Sequence, residues 1–218
     1  MFELRQLKHR YRGAQQDIVF PDWQVAQGEH TVLIGPSGSG KTTLLSIVGG
    51  MLTPQSGQAI VAGQDVAALS PSALDRFRGQ RIGLVPQRMH LVSSLTVTEN
   101  LQLAQYLAHL PQEAARIHAV LDRLGLAPLA QRRPHQLSQG QAQRVAIARA
   151  VVNGPSLLLA DEPTANLDDE ATDAVIDLLE REASAVGATL LIASHDSRVK
   201  ARFGRHLQLG KARAEAAA

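Results

Sequence analysis

Short apolar runs separated by turn residues alternate along this chain with longer segments of helical periodicity. Apolar runs of strand length lie at residues 2–4, 18–20, 23–25, 31–34, 58–61, 82–85, 157–159 and 189–193. Helices are predicted from about residue 41, at 73–77, from a cap at Thr98 to about 110, and at 112–125, 142–152 and 169–186. The most apolar runs are typical of strands buried on both faces, so strands and helices together predict an α/β fold.

The pattern also divides the chain into regions, within what we predict to be one domain over residues 1–218. The first strands predict an antiparallel β lobe, which together with the first part of the core occupies about 1–87. Residues 88–153 have almost no strand pattern and predict a helical lobe inserted into the core, which resumes at about 154–210. The tail at 211–218 is polar and alanine-rich, and we expect it to be frayed.

Composition limits the classes of protein that this chain can represent. A length of 218 residues with 44% hydrophobic content is enough to bury a core, and a net charge of +2 gives no basic surplus that would argue for nucleic acid. The chain has no cysteine, which excludes disulfides and cysteine-ligated zinc and fits a reducing compartment. Its apolar runs are too short to span a bilayer, and its N-terminus lacks a secretion signal. We therefore expect a soluble chain that reaches a membrane only through a partner.

The candidate chemistry begins at a glycine-rich loop between a buried strand and a helix. Two glycines separated by four residues and followed by Lys and Thr fit the phosphate-loop pattern, whereas a turn without ligand is the weaker interpretation. Gly35, Gly38 and Gly40 allow a tight curl that directs backbone N–H groups at a phosphate. Lys41 adds a charge for the β and γ phosphates, and Thr42 offers a hydroxyl to Mg²⁺. The loop comprises Gly35, Pro36, Ser37, Gly38, Ser39, Gly40, Lys41, Thr42 and Thr43.

Polar residues follow three further predicted strands at the point where each strand ends. Asp161 and Glu162 come after the buried leucines, and Gln87 and His195 follow two other strands. The carboxyl ends of parallel strands meet at the edge of a sheet where ligands bind. Asp161 suits Mg²⁺ or its water shell, and Glu162 suits deprotonation of the water that attacks the γ phosphate. Gln87 can reach a metal or its water, although its spacing alone favours an ordinary turn glutamine. His195 can donate a hydrogen bond to a phosphate.

Two other features could contact a nucleotide. Ser138 is placed to cap a helix, and Gly140 lets an anion approach the backbone at that helix N-terminus, although the bare pattern also fits a capped helix without a ligand. Tyr11 could stack on an adenine, but taken alone it fits an ordinary aromatic at the end of a strand better.

Taken together, these motifs resemble the ATP-binding subunit of an ABC transporter over nearly the whole chain. The resemblance is carried by the phosphate loop, Gln87, LSQGQ at 137–141, LLLADE at 157–162, Asn166-Leu167-Asp168 and His195. It implies a P-loop NTPase with a RecA-like core, an antiparallel β subdomain and an inserted α-helical subdomain. It also implies hydrolysis of ATP with Mg²⁺ in a head-to-tail homodimer.

The resemblance implies roles for residues around the nucleotide of the same chain. Tyr11 would stack on adenine, and Gln87 would link Mg²⁺ and water to the transmembrane partner. Glu162 would be the catalytic base, and His195 the switch that senses the γ phosphate.

Other residues would act across the dimer. The helix end formed by Ser138, Gln139, Gly140 and Gln141 would clamp the nucleotide on the other subunit's phosphate loop, and Asp168 would make a cross-dimer contact. The family's signature usually reads LSGGQ, and here Gln139 replaces its first glycine.

Within the family, the segments at 76–78, 95–101 and 160–168 are similar to the lipoprotein-releasing and macrolide-exporter group. A chain of this group would be cytoplasmic and peripheral on the inner membrane, bound to a permease, with no nucleic-acid partner and no insertion of its own into the bilayer. The alternatives are an importer ATPase, a soluble ABC ATPase of DNA repair or translation, and a small-molecule phosphate-loop kinase. The kinase reading leaves the helix end at 138–141 and His195 without a role.

Overall fold

The structure is a computed structural model that describes residues 1–165 and 167–210. Asn166 of the predicted motif and the predicted tail at 211–218 lie outside the described residues. The described residues form ten strands: β1 (Phe2–His9), β2 (Ile18–Val19), β3 (Trp23–Val25), β4 (Thr31–Ile34), β5 (Ser56–Val61), β6 (Gln64–Asp65), β7 (Ile82–Val85), β8 (Leu157–Asp161), β9 (Thr189–Ser194) and β10 (His206–Gln208). They also form seven α-helices: α1 (Lys41–Val48), α2 (Pro71–Arg81), α3 (Val97–Leu107), α4 (Ala114–Arg123), α5 (Gln139–Val151), α6 (Asp169–Val186) and α7 (Ser197–Arg202).

A parallel sheet of five strands, in the order β10-β4-β9-β8-β7, forms the centre of the fold. Its strands are apolar because both faces are covered. Leu158 of β8 belongs to one hydrophobic cluster, while Leu157 and Leu159 belong to the cluster on the opposite face. All-parallel sheets need this double cover, since the hydrogen-bonded strands present apolar side chains in both directions. The sheet confirms the predicted α/β fold.

A second, antiparallel sheet lies on the other side of α1 and confirms the predicted β subdomain. Its strands run in the order β2-β1-β5-β6, with β3 also paired to β1. Helix α1 contacts β5 of this sheet and β8 and β9 of the parallel sheet. Leu44 and Leu45 of α1 share a hydrophobic cluster with Phe2 and Leu4 of β1. The helix that begins at the phosphate loop is therefore held between two sheets, which fixes the direction of its N-terminus.

Helices α3, α4 and α5 lie between β7 and β8 in the sequence and contact one another. This arrangement confirms the predicted insertion of a helical subdomain, while its exact bounds stay a prediction. The predicted cap at Thr98 is wrong. The hydroxyl of Thr96 accepts from Glu99 N at 3.2 Å, and the Glu99 carboxylate accepts from Thr96 N at 2.7 Å, so α3 begins two residues earlier than predicted, as a capping box requires.

Two elements after β9 were missed by the sequence prediction. Helix α7 is short, and β10 has only one apolar residue, Leu207, in a strand of three. Edge strands of this length give no periodic signal, because pairing with a neighbour and not apolar content decides them. Strand β10 pairs in parallel with β4, and its end lies beside the phosphate loop.

Candidate functional site

The carboxyl ends of the parallel strands border a cleft with a cavity of about 420 Å³. The register of the sheet explains the convergence, since Ile34 pairs with Ser194 and Asp161 with Ala193. Residues that follow these strands must therefore emerge side by side. The cavity is lined by Tyr11, Ile18, Ser37, Gly38, Gly40, Lys41, Thr42, Thr43, Gln87, Glu162 and His195. The structure thus brings together the phosphate loop and three of the four polar residues predicted at strand ends, and it places Tyr11 beside them.

Several glycines of the phosphate loop occupy positions that a side chain would disturb, and Gly35 and Gly40 show why. A Cβ on Gly35 would lie 2.4 Å from the Ser39 hydroxyl and 2.8 Å from the Leu209 carbonyl that follows β10. Gly40, the residue before α1, has a φ of 94°, which L side chains rarely adopt. No side chain caps α1, so its first N–H groups point at the cleft without a partner from a capping residue.

Lys41 lies at the centre of the cleft with its side chain 7% exposed. Its ammonium donates to the carbonyls of Gly35 at 2.7 Å and Pro36 at 3.3 Å. The same Nζ lies 3.2 Å from Oε1 of Glu162. A buried ammonium needs such partners, because an isolated charge is costly away from water. The loop and the acidic strand end are therefore linked through one positive charge.

The two consecutive acids at the end of β8 contact different groups. Thr42 donates to Oδ1 of Asp161 at 3.3 Å, and burial raises the pKa of Asp161 above its usual value. Glu162 instead lies between Lys41 and His195, whose Nδ1 is 2.9 Å from Oε2 of Glu162. Glu162 also has a φ of 46°, a left-handed conformation that costs a non-glycine residue about 1–3 kcal/mol and that persists only when its surroundings impose it.

The residues at the start of α1 and the end of β8 fit a small divalent cation. The Thr42 hydroxyl and the Asp161 carboxylate are in contact, and Gln87 lines a cavity together with both of them. These are oxygen ligands of the kind that Mg²⁺ prefers, and a cation would compensate the buried carboxylate whose pKa is raised. Residues 1–165 and 167–210 hold no group of three or more His, Cys, Asp or Glu side chains placed to bind a metal.

Tyr11 lies at the mouth of the cleft with about half of its surface exposed. Its hydroxyl is 3.0 Å from the Thr43 hydroxyl, and its ring meets the buried His9 ring edge-on with centroids 4.8 Å apart. These contacts fix the ring next to the phosphate loop while leaving part of it open to a ligand. The geometry is compatible with the predicted stacking on a base.

The second predicted helix end does not reach this cleft. Ser138, Gln139 and Gly140 are exposed, and Gln139 and Gly140 line a different cavity of about 710 Å³ together with Leu167. Ser138 caps α5 as predicted, since its hydroxyl accepts from Gln141 N at 3.2 Å and the Gln141 amide oxygen accepts from Ser138 N at 2.9 Å.

Two more of the predicted residues have clear local structure at this end of the molecule. Gln139 is the first residue of α5 and has no positive φ, so the helix accommodates a side chain where the family's signature usually has glycine. Asp168 caps α6 by accepting from Ala171 N at 2.8 Å. Both residues lie outside the cleft of their own chain.

Sequence reasoning missed two residues of α5 that hold the loops next to the site. Gln143 donates to the Pro163 carbonyl at 2.7 Å, directly after Glu162. Arg149 donates to the carbonyls of Met89 and His90 at 2.7 and 2.6 Å, close to Gln87, and burial lowers the pKa of Arg149. Neither contact has a signal in the sequence, because each joins segments that are far apart along the chain.

Comparison with known proteins agrees with this geometry. The family model described as "ABC transporter" matches residues 21–165. The lipoprotein-releasing system ATP-binding protein LolD of Anaeromyxobacter dehalogenans is 45% identical over 191 residues, which cover 86% of this chain and 80% of that protein. The macrolide export ATP-binding/permease protein MacB 1/2 of Paracoccus denitrificans is 42% identical over 88% of this chain, but the match spans only 29% of that longer protein.

Solved structures give the same result. The dimeric structure of MJ0796, a bacterial ABC transporter cassette, superposes with a TM-score of 0.86 at 31% identity, covering 99% of this chain and 97% of that one. A dimeric post-hydrolysis state of the same cassette, bound to ADP and Pi, matches equally well. CbiO1 from Clostridium perfringens, part of an ABC transporter complex, matches with a TM-score of 0.85 at 28% identity over 97% of this chain and 85% of that one.

A phosphate loop between a parallel strand and a helix, with acids emerging from the neighbouring strand, defines a P-loop NTPase. Within that class, the chain belongs to the ABC transporter family. It is an ATP-binding subunit of a transporter, and its activity is the hydrolysis of ATP.

Proposed function

We propose that this chain hydrolyses MgATP between two copies of itself joined head to tail, and that it drives a permease of the lipoprotein-releasing or macrolide-exporter type. One observation carries the proposal. The cleft of each chain holds a phosphate loop, acids and a histidine, while the second helix end with anion-binding groups is exposed elsewhere on the same chain. Two copies in opposite orientation would bring each helix end to the other copy's cleft.

In this proposal the phosphate loop holds the β and γ phosphates. Lys41 would exchange its contacts with the Gly35 and Pro36 carbonyls for phosphate oxygens, which are better partners because they are charged. The N–H groups at the start of α1 donate to the same phosphates. Tyr11 stacks on the base at the mouth of the cleft, where its ring is already fixed by Thr43 and His9.

Mg²⁺ would be held by the Thr42 hydroxyl and the Asp161 carboxylate, with Gln87 reaching the ion or its water. When bound, the ion would neutralise charge that develops on the phosphates. The role of Asp161 requires the ionised carboxylate, and its burial beside Thr42 keeps that carboxylate oriented before a nucleotide enters.

Glu162 is the proposed general base. Its Oε1 is paired with Lys41, and its Oε2 with His195. Once phosphates bind Lys41, Oε1 is released to accept a proton from the attacking water, while His195 keeps the carboxylate oriented through Oε2. The side chain of His195 is 57% exposed, so its second ring nitrogen can donate to the γ phosphate while Nδ1 keeps its contact with Glu162.

The helix end at Ser138 keeps hydrogen-bond donors that could bind the second nucleotide. The Ser138 oxygen accepts from Gln141 N, and this leaves the hydroxyl proton free to donate. Apart from its chain neighbours and the backbone of its own helix turn, no atom of the described residues lies within 4 Å of where a Cβ on Gly140 would be. This chain therefore has room for a side chain at position 140. A glycine there would matter if another molecule approached the backbone closely, because a side chain would obstruct that approach. Asp168, at the start of α6, would contact the other copy nearby.

A groove that adjoins the cleft is the proposed docking site for the permease. It has a volume of about 760 Å³ and shares Thr42 and Gln87 with the nucleotide cleft. Exposed apolar residues line it, among them Met51, three residues after the end of α1, and Leu107, the last residue of α3. The helices of the described residues are too short or too polar to span a bilayer. We propose that the chain is bound at the cytoplasmic face of the cell membrane through this groove.

The test of the ATPase proposal uses Glu162→Gln, which keeps size but removes the base. We expect hydrolysis to fall by about 10²–10⁴-fold while ATP binding remains, and an ATP-dependent dimer to accumulate in light scattering. The matched control is Glu180→Gln. Glu180 is a half-buried acid of α6 that contacts Arg202 and does not line the cleft, so this variant should hydrolyse ATP normally. A strictly monomeric Glu162→Gln variant with ATP bound would contradict the dimer.

The test of the docking proposal uses Leu107→Lys, which places a charge in the groove. We expect the purified variant to hydrolyse ATP normally. Less permease should co-purify with it from solubilised membranes than co-purifies with the wild-type chain. Tyr106→Lys is the control, because Tyr106 is also exposed at the end of α3 but does not line the groove. Equal recovery of the permease by the wild-type chain and both variants would contradict this site.

A further inference from the structure

The loop that carries Glu162 is anchored from two sides. On one side, Glu162 N donates to the Ala193 carbonyl of β9 at 2.8 Å. On the other side, the side-chain amide of Gln143 donates to the Pro163 carbonyl at 2.7 Å. Pro163 is buried and has no N–H of its own, so its carbonyl is the backbone group through which α5 can hold the loop.

This anchoring matters because Glu162 adopts a φ of 46°. A conformation of this kind relaxes unless the surroundings hold it, and relaxation would turn the carboxylate away from Lys41 and His195. Loss of the Gln143 donor would also leave a buried carbonyl without its partner, which favours a shift of the loop. The contact between α5 and Pro163 therefore bears on the direction of the carboxylate and not only on packing.

The same helix begins at the proposed contact with the second nucleotide. Ser138 caps α5, and Gln143 follows five residues later, about 7.5 Å along the axis for a helical rise of about 1.5 Å per residue. A continuous helix over this distance moves as one body. A displacement of the Ser138 end would therefore shift the donor that holds Pro163.

We propose that Gln143 is a positioning residue for Glu162, and that it links the nucleotide contacted by the α5 end to the catalytic carboxylate of the same chain. The inference rests on the proposed function, in which α5 contacts the nucleotide of one site while Glu162 acts at the other. Gln143 would then make hydrolysis at one site depend on occupancy of the second site.

The experiment compares three substitutions that differ in hydrogen bonding. Gln143→Leu removes the donor, Gln143→Glu keeps the shape but offers an acceptor to the Pro163 carbonyl, and Gln143→Lys restores a donor on an unbranched stem. We expect kcat to fall by about tenfold to a hundredfold for Leu and Glu, with KM for ATP within about twofold, and to recover substantially for Lys. A role in packing alone would leave the isosteric Gln143→Glu variant active, which would overturn the proposal.

Controls separate this inference from the proposed function. Gln102→Leu, on α3 and outside the cleft, is the matched substitution, and thermal unfolding of each variant reports any loss of fold. Equal kcat for Gln143→Leu and Gln102→Leu, together with inactive Glu162→Gln, would overturn the inference and leave the proposed function standing. A Glu162→Gln variant that hydrolyses normally would overturn both.

The link between sites is tested with a double variant. If Gly140→Ala and Gln143→Leu interrupt the same connection, the double variant should be no slower than the slower single variant. Multiplicative losses would overturn the link, because they show that the two positions act independently.

Discussion

The N-termini of α1 and α5 are the two helix ends that we propose to face phosphates, and their local structures differ. At α1 the preceding residue is Gly40 in a left-handed conformation, no side chain caps the helix, and a buried Lys41 opens the first turn. At α5 the Ser138 and Gln141 side chains form a capping box, and the first turn is exposed.

The difference indicates which of the two helix ends could bind a phosphate without help from a second molecule. The α1 end leaves its N–H groups to the ligand and is surrounded by the rest of the site, so it is pre-organised within one chain. The α5 end satisfies part of its own backbone through the cap and is stable without a ligand. A capped helix end of this kind offers only a few hydrogen-bond donors to a ligand. This agrees with the proposal that the α5 end completes a binding site on another molecule.

The first test of this difference between the two helix ends removes the positive charge at the start of α1. Lys41→Met deletes the ammonium that joins the Gly35 carbonyl and Glu162. We expect hydrolysis to fall by about 10²–10³-fold, because a donor aimed at the transferred phosphate is lost. Steady-state phosphate release measures this. The control is Lys200→Met on α7, which lies outside the cleft and should hydrolyse ATP as the wild type does.

The second test adds a side chain at Gly140, in the first turn of α5. Gly140→Ala adds a methyl group at a position where, outside its own helix turn, the described residues leave open space. We expect the free energy of unfolding to stay the same or rise by up to about 1 kcal/mol, because alanine suits a helix better than glycine. Hydrolysis should nevertheless fall by about tenfold, corresponding to about 1.4 kcal/mol in the barrier. A fully active variant would show that nothing approaches this helix end.

The third test compares two caps of the same geometry. Ser138→Ala on α5 and Thr96→Ala on α3 each remove the hydroxyl of a capping box. We expect each to lower the free energy of unfolding by about 1 kcal/mol, as measured by urea denaturation. Only Ser138→Ala should also slow hydrolysis. If both variants slow it equally, loss of helix stability explains the effect and the proposed contact with a nucleotide fails.

The smallest expected effect concerns the acid beside α1. Because burial raises the pKa of Asp161, its ionisation costs more in the folded chain than in the unfolded chain. The free energy of unfolding of the nucleotide-free protein should therefore fall, through this group, as pH rises from its usual pKa of about 4 towards the raised value. Asp161→Asn should be more stable than the wild type at neutral pH, with the difference lost below about pH 4.

Asp196 supplies a control of opposite sign for that measurement. Its hydrogen bond with Arg198 lowers the pKa of Asp196, so this carboxylate stabilises the fold above its usual pKa and loses that contribution as pH falls. Asp196→Asn should thus be less stable than the wild type at neutral pH. Urea unfolding at several pH values checks both variants. If both substitutions changed the free energy of unfolding in the same direction at neutral pH, the environments assigned to Asp161 and Asp196 would be contradicted.

Much of the fold could be predicted because its main signals are local. The apolar runs predicted the inner strands of the parallel sheet, and α6 was predicted with the bounds that the structure has, since Asp168 caps its start and Gly187, with a φ of 70°, ends it. The cap of α3 was misassigned even though the sequence holds the Thr-x-x-Glu pattern. The edge strand β10 could not be predicted, because pairing with β4 defines it.

The sequence by itself determined the phosphate loop, the order of strands and helices, and which residue types could bind ATP and Mg²⁺. These follow from glycine conformation, apolar periodicity and residue chemistry, all of which act over a few neighbouring positions. Only the tertiary structure decided that Glu162 lies between Lys41 and His195, that Gln143 holds the next carbonyl, and that the Ser138 helix end lies outside the cleft. Those facts depend on sheet register and helix packing, which join residues far apart in the chain and leave no periodic trace in it.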